Sequence, residues 1–224
     1  MGGESRRFWC WFSVLVLASC LCAVMSVFMT ITAHARTKDD AVVVIADPVV
    51  LLQIGTDGEC TGFVSRAFGH NVIVTAGHCA TAAAGQTVTA KDSIGRTVEV
   101  EAIYFDKVHD LAIFAPQTAF AGPTERTDWA CDVPVKIGDP VSIVGFPLDY
   151  GRVTTMGTVA AAPSRWNFWP EVYRLNIFVG PGNSGSPVFN KDGQVIAILV
   201  GGNPQWPGMS MAVPISELCH PALI

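Results

Sequence analysis

Short runs of β-branched and alternating residues recur along this chain, each closed by a turn signal rich in Gly, Pro, Asn or Asp, and that rhythm excludes most architectures other than β. The runs fall at residues 42–46, 49–54, 61–66, 71–76, 87–90, 97–105, 111–115, 140–145, 152–161, 172–179, 187–190, 195–201 and 210–213. A period of two sends successive side chains to opposite faces, so each run offers one face to a core and one to solvent. Many short strands with turns between them predict an all-β sandwich or barrel. At 224 residues, 50% hydrophobic and 15% charged, the chain can bury one or two small cores and carries too little charge for disorder. The stretch 116–134, with Gly122-Pro123 and few β-branched residues, reads as an interdomain linker. Residues 214–220 are expected to form a short terminal helix with Pro214 in its first turn.

Three segments carry chemistry, in the order Thr75-Ala76-Gly77-His78-Cys79, His109-Asp110-Leu111-Ala112-Ile113 and Gly182-Asn183-Ser184-Gly185-Ser186-Pro187. A serine hydroxyl is nearly inert at neutral pH. It attacks a carbonyl only when an imidazole takes its proton, and the imidazole needs an acceptor that fixes its tautomer. Ser184, His78 and Asp110 supply nucleophile, base and carboxylate. The glycines around Ser184 let the backbone turn sharply, so the amides of Gly182 and Ser184 can face one oxygen as an oxyanion hole. His109 is expected on the surface, because alternation in an extended segment turns it away from the face that Asp110 occupies.

On these residues the chain resembles trypsin-like serine peptidases, in which the triad runs His, Asp, Ser. The run 181–190, the run 193–198, Gly138-Asp139-Pro140-Val141, Gly145-Phe146-Pro147 and Gly157-Thr158-Val159 resemble the bacterial glutamyl-endopeptidase (V8) and HtrA-type branches. The resemblance implies two packed antiparallel β-barrels of chymotrypsin-like fold with the catalytic cleft between them: residues 36–115 as the barrel of His78 and Asp110, and 135–224 as the barrel of Ser184, joined by the linker. It also implies a serine endopeptidase that forms an acyl-enzyme on a protein or peptide substrate, with no cofactor and no metal. An HtrA-like quality-control role meets one difficulty, since the chain has no room for the PDZ domain those enzymes carry. The rival from another class is a catalytically inactive binding module of the same fold, tethered at the membrane; all three triad types being present argues for the enzyme.

Two departures from the family pattern bear on mechanism. Residue 183 is Asn, not the Asp that pairs with a new N-terminal ammonium in trypsin-like zymogens, so activity is expected without a defined activating cut. Leu199 stands where the glutamyl-endopeptidases have a substrate-binding histidine, and Val179 where they have a threonine. With Phe178, Val200 and Gly201 these residues make an uncharged specificity pocket, which cannot offset the desolvation of a charged side chain, and cleavage after small or medium apolar residues is expected. The edge at 199–202, with Gly201-Gly202, is read either as the strand that pairs with substrate backbone or as a simple turn.

The N-terminus is a separate object. Arg6 and Arg7 precede an uncharged apolar stretch at 8–32, long enough to span a bilayer as a helix and oriented to export the rest of the chain. Residues 1–35 are thus a signal peptide ending at Ala33-His34-Ala35, a retained anchor or a lipoprotein leader at Cys20, and each delivers the domain outside the cytoplasm. Four of seven cysteines, Cys60, Cys79, Cys131 and Cys219, lie beyond the leader, and an even set allows three connectivities. The family resemblance joins Cys60 to Cys79 around the histidine segment and leaves Cys131 with Cys219. No metal-ligand spacing is present, and a formal net charge of −5 gives no footprint for nucleic acid. The residues 164–170 put three aromatics, Trp166, Phe168 and Trp169, into what reads as a loop. They make either a satellite core or a lip for membrane or substrate.

Overall fold

The structure, a computed structural model, describes residues 48–119 and 125–220. The first six strands close a barrel: β1 (Val49–Ile54), β2 (Gly58–Ala67), β3 (His70–Ala76), β4 (Val88–Lys91), β5 (Thr97–Asp106) and β6 (Leu111–Pro116), in the order β1-β2-β3-β6-β5-β4. Neighbours pair antiparallel throughout. Tight turns set the register: Ala67 pairs with His70 across Phe68-Gly69, both at positive φ (52° and 76°). Two such residues make the type I′ turn, whose twist matches that of the strands it joins. Phe63 and Phe114 are fully buried, and sequestering each such side chain contributes roughly 1.5–3 kcal/mol.

The second barrel has the same plan with β7 (Pro140–Gly145), β8 (Val153–Trp166), β9 (Trp169–Asn176), β10 (Pro187–Phe189), β11 (Val195–Gly202) and β12 (Met209–Pro214), in the order β10-β11-β12-β9-β8-β7. Residues 42–46, read as a strand, and the apolar leader lie outside the described residues. Among the described residues no helix is long and apolar enough to cross a membrane.

Several expectations are corrected. The all-β class holds, with one addition that the sequence reading did not include: a six-residue helix, α1 (Gly77–Ala82), comes after β3 and carries His78. Its alanines favour helix, but the segment is too short to show a helical period. The terminal helix is a four-residue 3₁₀ turn, Ile215–Leu218; Pro214 closes β12 and serves as its N-cap. The strand expected at 172–179 begins at Trp169 and stops at Asn176, leaving Phe178 and Val179 beyond it. The aromatic stretch is a hairpin: Trp166 ends β8 and pairs with Trp169 at the start of β9, across Asn167-Phe168.

The stretch between β6 and β7 is tied to both barrels. Thr127 donates its amide to Val64 O (3.1 Å), and Ala130 donates to Val195 O (2.9 Å). The Val195 amide donates in turn to Asp128 O (2.9 Å). Cys131 is bonded to Cys219 beyond the 3₁₀ turn, and Cys60 on β2 to Cys79 on α1. One buried cluster runs from Val49 and Phe63 in the first barrel through Trp169, Phe189 and Ile198 in the second, so the two barrels share apolar packing.

Candidate active site

His78 stands at the second position of α1, and the turn that ends in Asp110 leads into β6. The two segments meet because β3 and β6 are paired, Ala76 opposite Leu111. Gly77 donates its amide to Asp110 O (2.7 Å), and a Cβ at Gly77 would lie 2.8 Å from the Asp110 carbonyl carbon. Only glycine lets α1 start this close to the turn. Asp110 itself has φ 58° and is buried.

The Asp110 carboxylate gathers three N–H groups. Oδ1 accepts from the His78 amide (2.6 Å); Oδ2 accepts from His78 Nδ1 (2.9 Å) and from the indole Nε1 of Trp169 (3.3 Å). A carboxylate at Nδ1 selects the tautomer protonated there, which leaves the Nε2 lone pair free to accept a proton. The imidazole is 45% exposed, against 10% for the Asp110 side chain, so the ring opens to solvent while its partner is enclosed. Among the described residues the side chain of His78 hydrogen-bonds to Asp110 alone. A nucleophile–base bond that is open in an unliganded site commonly closes once substrate is bound.

Ser184 sits in a tight turn between β9 and β10. Gly182 has φ 91°, and a Cβ there would lie 2.2 Å from Phe146 O, so no other residue fits. Asn183 donates its amide to Gly180 O (3.1 Å), and Gly185 to Leu199 O (2.8 Å). Among the described residues no carbonyl accepts from the Gly182 or Ser184 amide, so both donors are uncommitted. Asn183 is buried, its Oδ1 packed against Gly145.

A cavity of about 400 Å³ opens beside Ser184 and takes in Phe178, Val179, Leu199 and Gly201. Val200, expected with them, is buried in the apolar core, because alternation along β11 turns its side chain the other way. The sequence reading missed Gly180, Gly208 and Met209, and with them the turn at 203–207, whose Asn203, Pro204 and Pro207 lie along the same wall. β10 begins opposite Ile198, so the edge of β11 beyond Leu199 has β12 on one side and no strand on the other among the described residues. On the far flank of Gly182 a second cavity of about 390 Å³ is lined by Asp57, Glu59 and Asp149. Burial first, and then the neighbouring Asp149 carboxylate, push the Glu59 carboxyl above its usual range.

Trp169 is the main surprise. In the aromatic stretch Trp169 is only 7% exposed and its indole reaches Asp110, while Phe168, 67% exposed, lies against it with ring centroids 4.2 Å apart and planes tilted by 43°. Among the described residues His109 makes no hydrogen bond to His78, and it is not a simple surface side chain. Nδ1 meets Asp106 Oδ2 (2.7 Å) and Nε2 meets Glu217 Oε2 (3.3 Å), which links the turn before β6 to the terminal 3₁₀ helix. Burial works to raise the Asp106 carboxyl, yet hydrogen bonds from His109 and the Val108 amide hold it below the usual range. Among the described residues no group of His, Cys, Asp and Glu could hold a metal ion.

The sequence pattern of the trypsin-like peptidase domain matches residues 60–198. The chain is 29% identical over 170 residues to the putative serine protease HhoA of Synechocystis sp., covering 71% of this chain and 41% of that protein. It is 28% identical over 160 residues to the probable periplasmic serine endoprotease DegP-like of Halomonas elongata, covering 69% and 32%. It therefore spans less than half the length of these curated relatives. Its fold resembles the serine endoprotease from Yersinia pestis, with a TM-score of 0.64 at 20% identity over 76% of this chain and 59% of that one. A matched stretch that runs from Cys60 through His78, Asp110 and the turn of Ser184 to β11 leaves one assignment: the chain belongs to the trypsin-like peptidase domain family.

Proposed function

We propose that the chain is an extracytoplasmic serine endopeptidase that cleaves after uncharged, small or medium apolar residues through an acyl-enzyme. The observation that carries the reading is the Asp110 carboxylate on His78 Nδ1 at 2.9 Å, in a cleft where the Gly182 and Ser184 amides are uncommitted. Ser184 Oγ attacks the scissile carbonyl as its proton passes to His78 Nε2. The carbonyl oxygen becomes the oxyanion and takes hydrogen bonds from the two amides, each such donor being worth roughly 10²–10³ in rate. His78 then protonates the leaving amine, the C–N bond breaks, and water repeats the sequence to release the acid. Asp110 stays ionised and holds the imidazole in place.

The cavity beside Ser184 is lined by Phe178, Val179, Leu199 and Met209, with no charged residue. A Lys, Arg or Glu side chain entering it would lose its hydration without a partner. The open edge of β11 supports binding of substrate backbone as an added strand. The disulfides fit an oxidising compartment, as does the periplasmic relative; export would come from residues 1–35.

A fluorophosphonate probe tests the reading. Labelling of the native protein at Ser184, lost in Ser184→Ala, is the expected result, and no labelling of a folded native protein would identify the inactive binding module instead. A peptide-library profile dominated by Glu, Lys or Arg at the cleaved position would overturn the specificity.

A further inference from the structure

Asn183 has no charge to offer a new N-terminus, so the nucleophile turn must take its order from elsewhere. It is held from the other barrel by one residue. Thr61, fully buried near the middle of β2, donates its amide to Ser184 O (2.8 Å) and its hydroxyl to Gly182 O (2.8 Å). The same hydroxyl accepts the Phe146 amide (3.0 Å). A hydroxyl has one proton, so with Gly182 O as its acceptor it meets Phe146 N–H as an acceptor itself, and no freedom of rotation remains. The Thr61 carbonyl is fixed as well, accepting Thr75 Oγ1 at 2.7 Å.

Gly182 has no side chain to restrict it, and its φ of 91° is open to few other residues. The turn bond from Asn183 N to Gly180 O restrains one side of it, and Thr61 Oγ1 restrains the other by fixing its carbonyl. We propose that Thr61 is a positioning residue for the oxyanion hole: its hydroxyl sets the plane of the Gly182–Asn183 peptide, and its amide sets that of Ser184–Gly185. The Ser184 N–H lies in the peptide between these two, and the Gly182 N–H in the one just before them, whose Pro181 carbonyl accepts the Leu148 amide (3.0 Å); with its neighbours fixed, each free N–H is held in its direction before substrate arrives. This rests on the serine-peptidase reading above and adds a source of order that needs no activating cut.

The test uses the full chain with Thr61→Val, which keeps the branched shape and removes the hydroxyl, beside Thr61→Ser, which restores it. Expected for Thr61→Val is a fall in kcat of about 10²-fold, the loss of roughly one oxyanion donor, with KM within about twofold, and slower fluorophosphonate labelling by a similar factor. Thr61→Ser recovers kcat to within about fivefold. A Thr61→Val protein that folds and keeps native kcat overturns the proposal, as does an equal rise in KM with unchanged kcat. If Thr61→Val fails to fold, amide exchange of the unaltered protein decides: a protected Phe146 N–H is expected, and exchange at the rate of a free peptide overturns the proposal. Absence of labelling in the unaltered protein would sink the peptidase reading itself, a separate outcome.

Discussion

Replacing Trp169 with Phe removes one N–H from the Asp110 carboxylate while keeping an aromatic ring in the hairpin. The indole donates to Oδ2 at 3.3 Å, the oxygen that also accepts His78 Nδ1 at 2.9 Å. Hydrogen bonds to charged groups contribute about 1.5–3 kcal/mol, and a bond of this length belongs at the low end, about 1.5 kcal/mol. The smaller ring also loses packing, since the indole Cη2 lies 3.4 Å from where a Gly201 Cβ would stand; a partial cavity there adds about 1 kcal/mol. Together these lower the thermal midpoint by roughly 5–10 °C for a domain of this size. The catalytic effect is separate. With only His78 to hold it, the carboxylate gains freedom to swing, and if the indole bond serves to position it, kcat falls about tenfold for 1.4 kcal/mol, with KM unchanged within twofold. Steady-state kinetics on an apolar chromogenic peptide, a thermal melt and the low-field proton resonance of His78 Nδ1 read these three effects. A variant that melts lower yet keeps native kcat and an unmoved Nδ1 resonance would show that Trp169 only packs, and the positioning argument would be wrong.

The same geometry sets three other expected outcomes. In Gly77→Ala the new Cβ would meet the Asp110 backbone at 2.8 Å, so the acid must shift by several tenths of an ångström; kcat is expected to drop at least tenfold, and unchanged kinetics would contradict the close approach. The Cys131–Cys219 bond closes a span of 88 residues and Cys60–Cys79 one of 19. Chain entropy then assigns them about 4.6 and about 3.2 kcal/mol. Denaturant melts of the paired Ser variants should rank them in that order, while the variant beside His78 loses more activity; the reverse ranking in stability would reject the loop-length argument. Glu59 has a raised folded pKa, so stability is fully present below its unfolded value near 4.5 and is lost as pH rises through the folded value. Glu59→Gln should therefore raise the melting temperature at pH 7 and lose that advantage near pH 4, and an equal gain at both pH values would exclude charge repulsion with Asp149 as the cause.

What could be read in the sequence was what lies in short, self-contained segments. His78, Asp110 and Ser184 each announce themselves through neighbours that shape their own turn, and the alternating runs specify barrels because each hides one face. The fold-level partners were invisible for the opposite reason. Trp169 meets Asp110 across 59 positions and Thr61 meets Gly182 across 121, and neither has a local signature, since Trp169 looks like any aromatic in a polar loop and Thr61 like any residue of a strand. α1 was hidden by its length. For His109 alternation misleads, because the segment is a turn in which Asp110 has φ 58° rather than an alternating strand, and the ring lies half-buried between two carboxylates instead of free on the surface. In the pocket, alternation correctly separates Leu199 from Val200, and applying it there would have removed Val200 from the candidates.

The central claim is that Ser184 becomes acylated. Rapid mixing of the full chain with an activated ester of an apolar peptide, then acid quench and intact-mass measurement, tests it directly. The account predicts a burst of one acyl group per chain, mapped to Ser184 and absent in Ser184→Ala. Hydrolysis that proceeds with no adduct at any time point, or an adduct on another residue that survives Ser184→Ala, would contradict it.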